Sequence, residues 1–237
     1  MKTTLDAESE RSISPPRGQH DARLATSKHA ITISDIQTSY RRYAKRYDWL
    51  FGAVLNDGRK KVLHEVAALN PQRILEVGVG TGLLLAGYPR DAEIVGVDVS
   101  EDMLVIARAR IAKLALHNTR VERADGERLA YADGAFDCVV LPYVLSVTPS
   151  PAILVAEAIR VCAPGGRIVI VNHFSGSKFW RGFEALAAPL AARIGFHSTF
   201  SYEENVLAHP WVVERKLDAN WMGLSLVVVL TPEATNS

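Results

Sequence analysis

What the sequence lacks narrows what it can be. Only two of its 237 residues are cysteine, Cys138 and Cys162, and both sit inside apolar segments. That predicts buried free thiols in a reducing compartment and argues against a disulfide framework. Long apolar runs are missing. The longest, "LSLVVVL" over Leu224–Leu230, is interrupted by a serine and falls far short of the roughly 20 residues of a spanning helix. An excess of one charge is also missing: the net charge is +1, so there is no global case for nucleic acid. The first 20 residues carry no apolar signal region, which predicts no secretion. The seven histidines show no H-E-x-x-H spacing and the cysteines no C-x-x-C pair, so no metal is assigned. His64 falls on a predicted helix and reads as a surface residue.

What is present is ordinary globular composition, 48% apolar and 22% charged, enough for one sizeable core. Residues 1–30 are polar, with Pro15, Pro16 and Gly18, and are expected to form a disordered tail. Residues 31–237 are expected to form a single domain: a helical cap over 31–70, a core over 71–172, and a helix with the last strands over 173–237. In the cap, Ile36, Tyr40, Tyr43, Tyr47, Leu50 and Phe51 share one helical face. A second helix is predicted from about Arg59 to Leu69, stopping before Pro71.

Beyond Pro71 the chain alternates. Strands are predicted at "RILEV", "EIVGV", "TRVERA", "FDCVVL" and "GRIVIV". Helices are predicted between them at Gly82–Gly87, Glu101–Leu116 and Pro151–Val161, the second capped by Ser100. "APGGR" reads as a turn before the fifth strand. A long amphipathic helix near Phe179–Ile194 and two late strands, near Trp211–Leu217 and Leu224–Leu230, complete the order. Strands alternating with helices imply a doubly wound α/β fold with a mostly parallel sheet.

The chemistry is concentrated in "RILEVGVGTGLLLAGYPRDAEIVGVDVS", Arg73–Ser100. Gly78, Gly80 and Gly82 let the chain turn sharply off the first strand and bring backbone N–H groups towards a ligand. Asp98, 20 residues after Gly78, ends the next strand, where a carboxylate accepts hydrogen bonds from both ribose hydroxyls. A dinucleotide fingerprint needs a third glycine where Leu83 stands. Glu76, two residues before the first glycine, would repel a pyrophosphate but suits a ligand with a cationic end.

These segments resemble class I S-adenosylmethionine-dependent methyltransferases. "LEVGVGTG" with Asp98 matches the first two cofactor motifs, "RADGERLAYADGAFDCVV" the third and fourth strand segments, and "VCAPGGRIVIV" the fifth strand with its proline-glycine-glycine turn. The resemblance implies a Rossmann-like, seven-stranded sheet with an N-terminal helical cap, and S-adenosyl-L-methionine as cofactor, leaving S-adenosyl-L-homocysteine as product. It implies that Glu76, Gly78, Gly80 and Gly82 hold the methionine end, Asp98 the ribose, and Asp125 with Gly126 the adenine. Asp137, entering the fourth strand, reads as structural.

The acceptor must be read elsewhere, because fold does not set substrate. Between Thr38 and Lys61 the chain carries seven Lys or Arg and two Asp, interleaved with Tyr40, Tyr43, Tyr47, Trp49 and Phe51. Basic and aromatic residues on separate faces suit an anionic membrane surface. "YDWLFGAVLNDGRKKVL", "LEVGVGTG" followed by "YP", and "PYVLSVTPSP" together resemble bacterial phosphatidylethanolamine N-methyltransferases of the peripheral-membrane type. That likeness implies methylation of an amino lipid at the inner, cytoplasmic face of the cell membrane. Tyr43 and Tyr47 are expected to cap the cofactor and border the acceptor, and Tyr143, just after the fourth strand, to face the reacting methyl. Candidate bases are Tyr43, Tyr47, Tyr143, His173 and His197, none singled out by spacing. Other acceptors stay open: ornithine lipid, a quinone precursor or a soluble small molecule. So does a non-catalytic cofactor-binding domain.

Overall fold

The structure, a computed structural model, describes residues 55–172, 209–219 and 225–233. All of them fall in one compact unit, Ile31–Ser237. The helices expected at 36–51 and 179–194 lie outside the described residues, as do Tyr43, Tyr47, His173 and His197.

Helix α1 (Asn56–Leu69) begins three residues before the expected start at Arg59. It ends where Asn70 turns left-handed (φ 48°, ψ 49°) and donates its N–H to Ala67 O at 3.2 Å. Pro71 follows and cannot continue a helix. Strand β1 (Arg73–Val77) leads into the glycine loop, and β2 (Glu93–Asp98) into α2 (Glu101–Lys113). The Ser100 hydroxyl caps α2 by accepting from Met103 N at 3.5 Å. The chain continues through β3 (Thr119–Arg123), β4 (Phe136–Pro142), α3 (Pro151–Val161), β5 (Cys162–Asn172), β6 (Trp211–Ala219) and β7 (Ser225–Pro232).

Two expected elements came out differently. Gly82–Gly87 forms turns and a single 3₁₀ turn, Leu85–Gly87, instead of a helix. Gly82 sits at φ 75°, outside the helical region, and the residues left before Pro89 are too few to nucleate an α-helix. The "APGG" turn lies inside β5. Phe136 pairs with Cys162 and Cys138 with Arg167, so residues 163–166 bulge out of register. Gly165 (φ 79°) supplies the backbone angle this requires.

The seven strands order as β3-β2-β1-β4-β5-β7-β6. Strands β1 to β5 run parallel, and β7 is antiparallel to both β5 and β6. Period-two alternation divides the core between the two faces. Leu75, Val139, Ile168, Ile170 and Val228 pack on one side with Leu154, Val155 and Ala158 of α3. Ile74, Val140, Val169 and Val227 pack on the other with Val62 and Val66 of α1 and Leu104 of α2. Each such aliphatic side chain contributes roughly 1.5–3 kcal/mol by leaving water. Among the described residues no helix is long and apolar enough to cross a membrane.

Candidate active site

The chain leaves β1 towards β2 and β3 on one side and returns to β4 and β5 on the other. That reversal opens a crevice at the carboxyl ends of β1 and β4, where open α/β sheets bind ligands. A cleft of about 210 Å³ lies there. Glu76, Gly78, Gly80, Asp98, Asp125, Gly126 and Tyr143 all line it. Gly82 does not. A Cβ on Gly82 would lie 2.8 Å from Leu85 Cδ1 and 3.3 Å from Ala107 Cβ, so this glycine lets the loop pack on α2.

The glycine loop is built around β2. Gly78, Gly80 and Gly82 all have positive φ, which a side chain would strain. Gly78 and Val79 both donate their N–H groups to Val97 O, at 2.8 and 3.0 Å. Gly80 donates to Asp98 Oδ2 at 2.8 Å. These amides therefore face β2 instead of the cleft, a correction to the expectation that they reach a ligand. A phosphate would find no cradle of the kind a dinucleotide loop provides, which strengthens the case against a dinucleotide. A Cβ on Gly80 would meet nothing within 4 Å, so at that point the cleft wall is bare backbone.

Asp98 holds two elements together. Besides Gly80, it accepts from Ser100 N through Oδ1 at 2.9 Å. Burial pushes its carboxyl upward, against the opposing effect of the Ser100, Gly80 and Val99 amides. Each oxygen keeps a further lone pair for a ligand hydroxyl. Asp125 accepts from Glu127 N at 2.9 Å, which fixes the turn after β3. A Cβ on Gly126 would sit 2.7 Å from Val77 Cγ1, so that turn presses directly onto β1.

Glu76 is the unusual group. It is 1% exposed, and its Oε2 has no hydrogen-bond partner. Burial pushes its carboxyl up to about 8; the Tyr88 hydroxyl and the Arg59 charge oppose this, and the Asp98 charge reinforces it. Tyr88 is buried beside it, and its own hydroxyl also falls short of hydrogen-bond geometry. A buried carboxylate without a full set of partners is costly unless a cation meets it.

Three contributors were not assigned from sequence. Tyr88 appeared only within the "YP" pair, with no role. Arg59 was counted among the basic residues of a membrane-facing segment, yet it lines the cleft. Leu55 joins it there, and its carbonyl accepts from the Tyr143 hydroxyl at 3.3 Å. Tyr143 has φ 59°, a left-handed backbone costing about 1–3 kcal/mol in a residue with a side chain. Its N–H donates to Val171 O at 2.7 Å, which holds it at the end of β4. Asp137, read as structural, binds Arg73 N at 2.9 Å and the Arg73 guanidinium at 3.0 Å, on the far side from the cleft. Among the described residues no cluster of three His, Cys, Asp or Glu side chains is placed to hold a metal.

A reversing parallel sheet with an acid at the end of β2 and no phosphate cradle defines a Rossmann-like nucleoside-binding domain. Comparison with known proteins makes this specific. The methyltransferase-domain family profile matches residues 75–170. The chain is 38% identical over 182 residues to phosphatidylethanolamine N-methyltransferase of Cereibacter sphaeroides, covering 76% of this chain and 88% of that one. It is 35% identical to demethylmenaquinone methyltransferase of Thermus thermophilus, over 56% of this chain and 63% of that one. A solved S-adenosylmethionine-dependent methyltransferase from Thermotoga maritima superposes with TM-score 0.64 at 22% identity, over 83% of this chain and 99% of that one. The chain belongs to the S-adenosylmethionine-dependent methyltransferases, and S-adenosyl-L-methionine is its cofactor.

The residues present fit that molecule. Its cationic end suits the buried, incompletely partnered Glu76 carboxyl. Its ribose suits the spare acceptor sites of Asp98, and its freedom from phosphate suits the inward-turned loop amides.

Proposed function

We propose that the chain transfers methyl groups to the amine of phosphatidylethanolamine and of its mono- and dimethyl forms, giving S-adenosyl-L-homocysteine as product. The observation that carries this reading is the 38% identity to the Cereibacter sphaeroides enzyme, sustained over 88% of that protein. When bound, S-adenosylmethionine supplies an electrophilic methyl group on its sulfonium. Glu76 meets the ammonium of its methionine end, with Gly80 giving that end room and Gly78 letting the loop pack against Val144. Asp98 takes the ribose hydroxyls, and Asp125 with Gly126 borders the adenine. Gly82 supports the loop from behind.

Tyr143 borders the acceptor side. The amine must be neutral to attack, and an ordinary primary amine is protonated below about pH 10. Burial near the positive cofactor disfavours the ammonium. The aromatic face of Tyr143 attracts methylated ammonium intermediates by roughly 0.5–2 kcal/mol. We place Tyr43 and Tyr47 at the same border as cofactor caps, and the basic and aromatic residues of 38–61, apart from the cleft-lining Arg59, on an anionic phospholipid surface. On this reading the protein lies peripherally on the cytoplasmic face of the cell membrane, with 1–30 as a tail.

The test is transfer of radiolabelled methyl groups to phosphatidylethanolamine in liposomes containing an anionic lipid, with products separated by chromatography. Label in monomethyl, dimethyl and choline lipids is the expected result. A second acceptor has its own support, the 35% identity to a demethylmenaquinone methyltransferase. Label in a quinone with none in lipid would favour it.

A further inference from the structure

One wall of the cleft is the connection between β4 and α3. Tyr143, Val144, Val147, Thr148 and Pro149 line the cleft from it, and none of them is in a helix or strand. Within the connection Val147 and Thr148 donate their N–H groups to Val144 O, at 3.0 and 3.1 Å, which makes a single turn. A backbone of this kind keeps its place only if something outside it holds it.

Glu127 does so from behind the lining. Its Oε1 accepts from the buried Thr148 hydroxyl and from Ser150 N, the latter at 2.7 Å. Ser150 is the N-cap residue of α3, and its own side chain makes no capping bond. The Glu127 carboxylate therefore stands at the N-terminal end of α3, where the helix dipole favours negative charge. The backbone of the same residue faces the cofactor side: Glu127 N donates to Asp125 Oδ1 at 2.9 Å. One residue thus joins the turn that carries Asp125 and Gly126 to the wall that carries Tyr143 and Thr148.

We propose that Glu127 is a positioning residue for methyl transfer, whose carboxylate holds the acceptor-side wall in register with the nucleoside-side turn. This rests on the acceptor-side placement of Tyr143 made above. The two halves of the tie are separable. Removing the side chain leaves the backbone N–H on Asp125. It also leaves α3 anchored further along, where Glu157 Oε2 accepts from Leu129 N at 2.8 Å and Arg160 donates to Leu129 O and Tyr131 O at 2.9 and 2.7 Å. Loss of the carboxylate therefore frees the wall without unseating the helix or the turn. Glutamine keeps an Oε1 acceptor for both donors and so keeps the tie without the charge.

The experiment compares wild type, Glu127→Ala and Glu127→Gln as full chains. Three quantities are measured: calorimetric affinity for S-adenosyl-L-homocysteine, kcat for methyl transfer to phosphatidylethanolamine liposomes, and amide hydrogen exchange. Glu127→Ala should lower kcat by roughly tenfold or more, because small misplacements near reacting groups are costly. Its cofactor affinity should stay near that of wild type. Its Ser150 amide should exchange roughly tenfold faster or more, while its Glu127 amide keeps the wild-type rate. Glu127→Gln should restore most of kcat and the slow Ser150 exchange. A tie that served only stability would leave kcat of the folded variant unchanged, and that result would overturn the proposal. Equal losses of kcat in the two variants would also overturn it, as would a loss of cofactor affinity as large as the loss of kcat. If Glu127→Ala does not fold, Thr148→Val and Thr148→Ser carry the test. The valine should lower kcat and the serine retain it, and equal effects would overturn the proposal. A wild type that methylates no lipid would overturn the acceptor reading instead. Exchange then decides the tie, and an unchanged Ser150 rate in Glu127→Ala would overturn it.

Discussion

At the scale of single residues, the site depends on carboxylates placed where the fold alone does not favour their charge. An unfolded glutamate ionises near 4.5, whereas Glu76 in the native chain holds its proton up to about 8. Between those values the native state binds more protons than the unfolded one, so stability falls as pH rises. The stabilisation is fully present below 4.5 and lost as pH passes through about 8. Glu76→Gln removes the titration, so the variant should exceed wild type at pH 9 by a few kcal/mol, at about 1.4 kcal/mol per pH unit. The advantage should shrink towards pH 5, and cofactor binding should be lost. Urea denaturation at the two pH values measures the first effect and calorimetry the second; the same stability change at both would show that burial of the charge is not what matters. Asp98 behaves differently, because both its oxygens hold backbone amides. Asp98→Ala should therefore cost stability as well as cofactor, at roughly 1.5–3 kcal/mol for each hydrogen bond to the charged group. Asp98→Asn, keeping one acceptor oxygen, should recover part of the stability. Thermal unfolding of the two variants decides it: an Asp98→Ala protein as stable as wild type would mean the loop holds its shape without the carboxylate.

At the scale of elements, helix α1 does more than cover the sheet. Its first turn carries Leu55 O to the Tyr143 hydroxyl and Arg59 into the cleft, while Val62 and Val66 bury against the strands. Lys61, partly exposed, is 3.2 Å from Asp57 and bonded to Asp218 O. The close approach requires Gly58. Gly58→Ala would put a methyl 2.3 Å from the Tyr143 oxygen, so the ring must leave the Leu55 carbonyl. We expect kcat for methyl transfer to fall by roughly tenfold or more, with cofactor affinity near that of wild type. Steady-state kinetics beside calorimetry separates the two, and unchanged kcat would remove Tyr143 from the acceptor side. Gly96 shows the same logic on β2. A Cβ there would reach Val79 Cγ2 at 2.8 Å, so the glycine loop folds over β2 only because β2 has no side chain at that point.

At the scale of the whole molecule, the expected membrane contact belongs to residues 38–61 apart from Arg59, which lines the cleft. Replacing Arg41, Arg42, Lys45 and Arg46 with glutamate should release the protein from anionic liposomes, since each basic residue near such a surface contributes about 1 kcal/mol. Co-sedimentation reads this directly, and unchanged binding would move the membrane contact elsewhere. Arg59 and Lys61 were counted in the same basic segment from sequence; Arg59 lines the cleft, and Lys61 is bonded to Asp218 O of β6.

The sequence by itself determined the succession of strands, the helices that precede the first strand, follow the second and precede the fifth, the parallel sheet, and three acids that line the cleft, Glu76, Asp98 and Asp125. The elements follow from local pattern, apolar runs and glycines where the chain turns sharply; Glu76 and Asp98 follow from their spacing about the glycine loop, and Asp125 from the family resemblance. Tertiary structure decided what depends on residues distant in the chain. Only packing shows that the loop amides turn towards Val97 and Asp98 instead of the cleft, and that Gly82 meets α2. Only packing buries Glu76 beside Tyr88 and within reach of the Arg59 charge. A residue's charge is written in its type. Whether that charge faces water, a membrane or a cofactor is set by what the fold places opposite it.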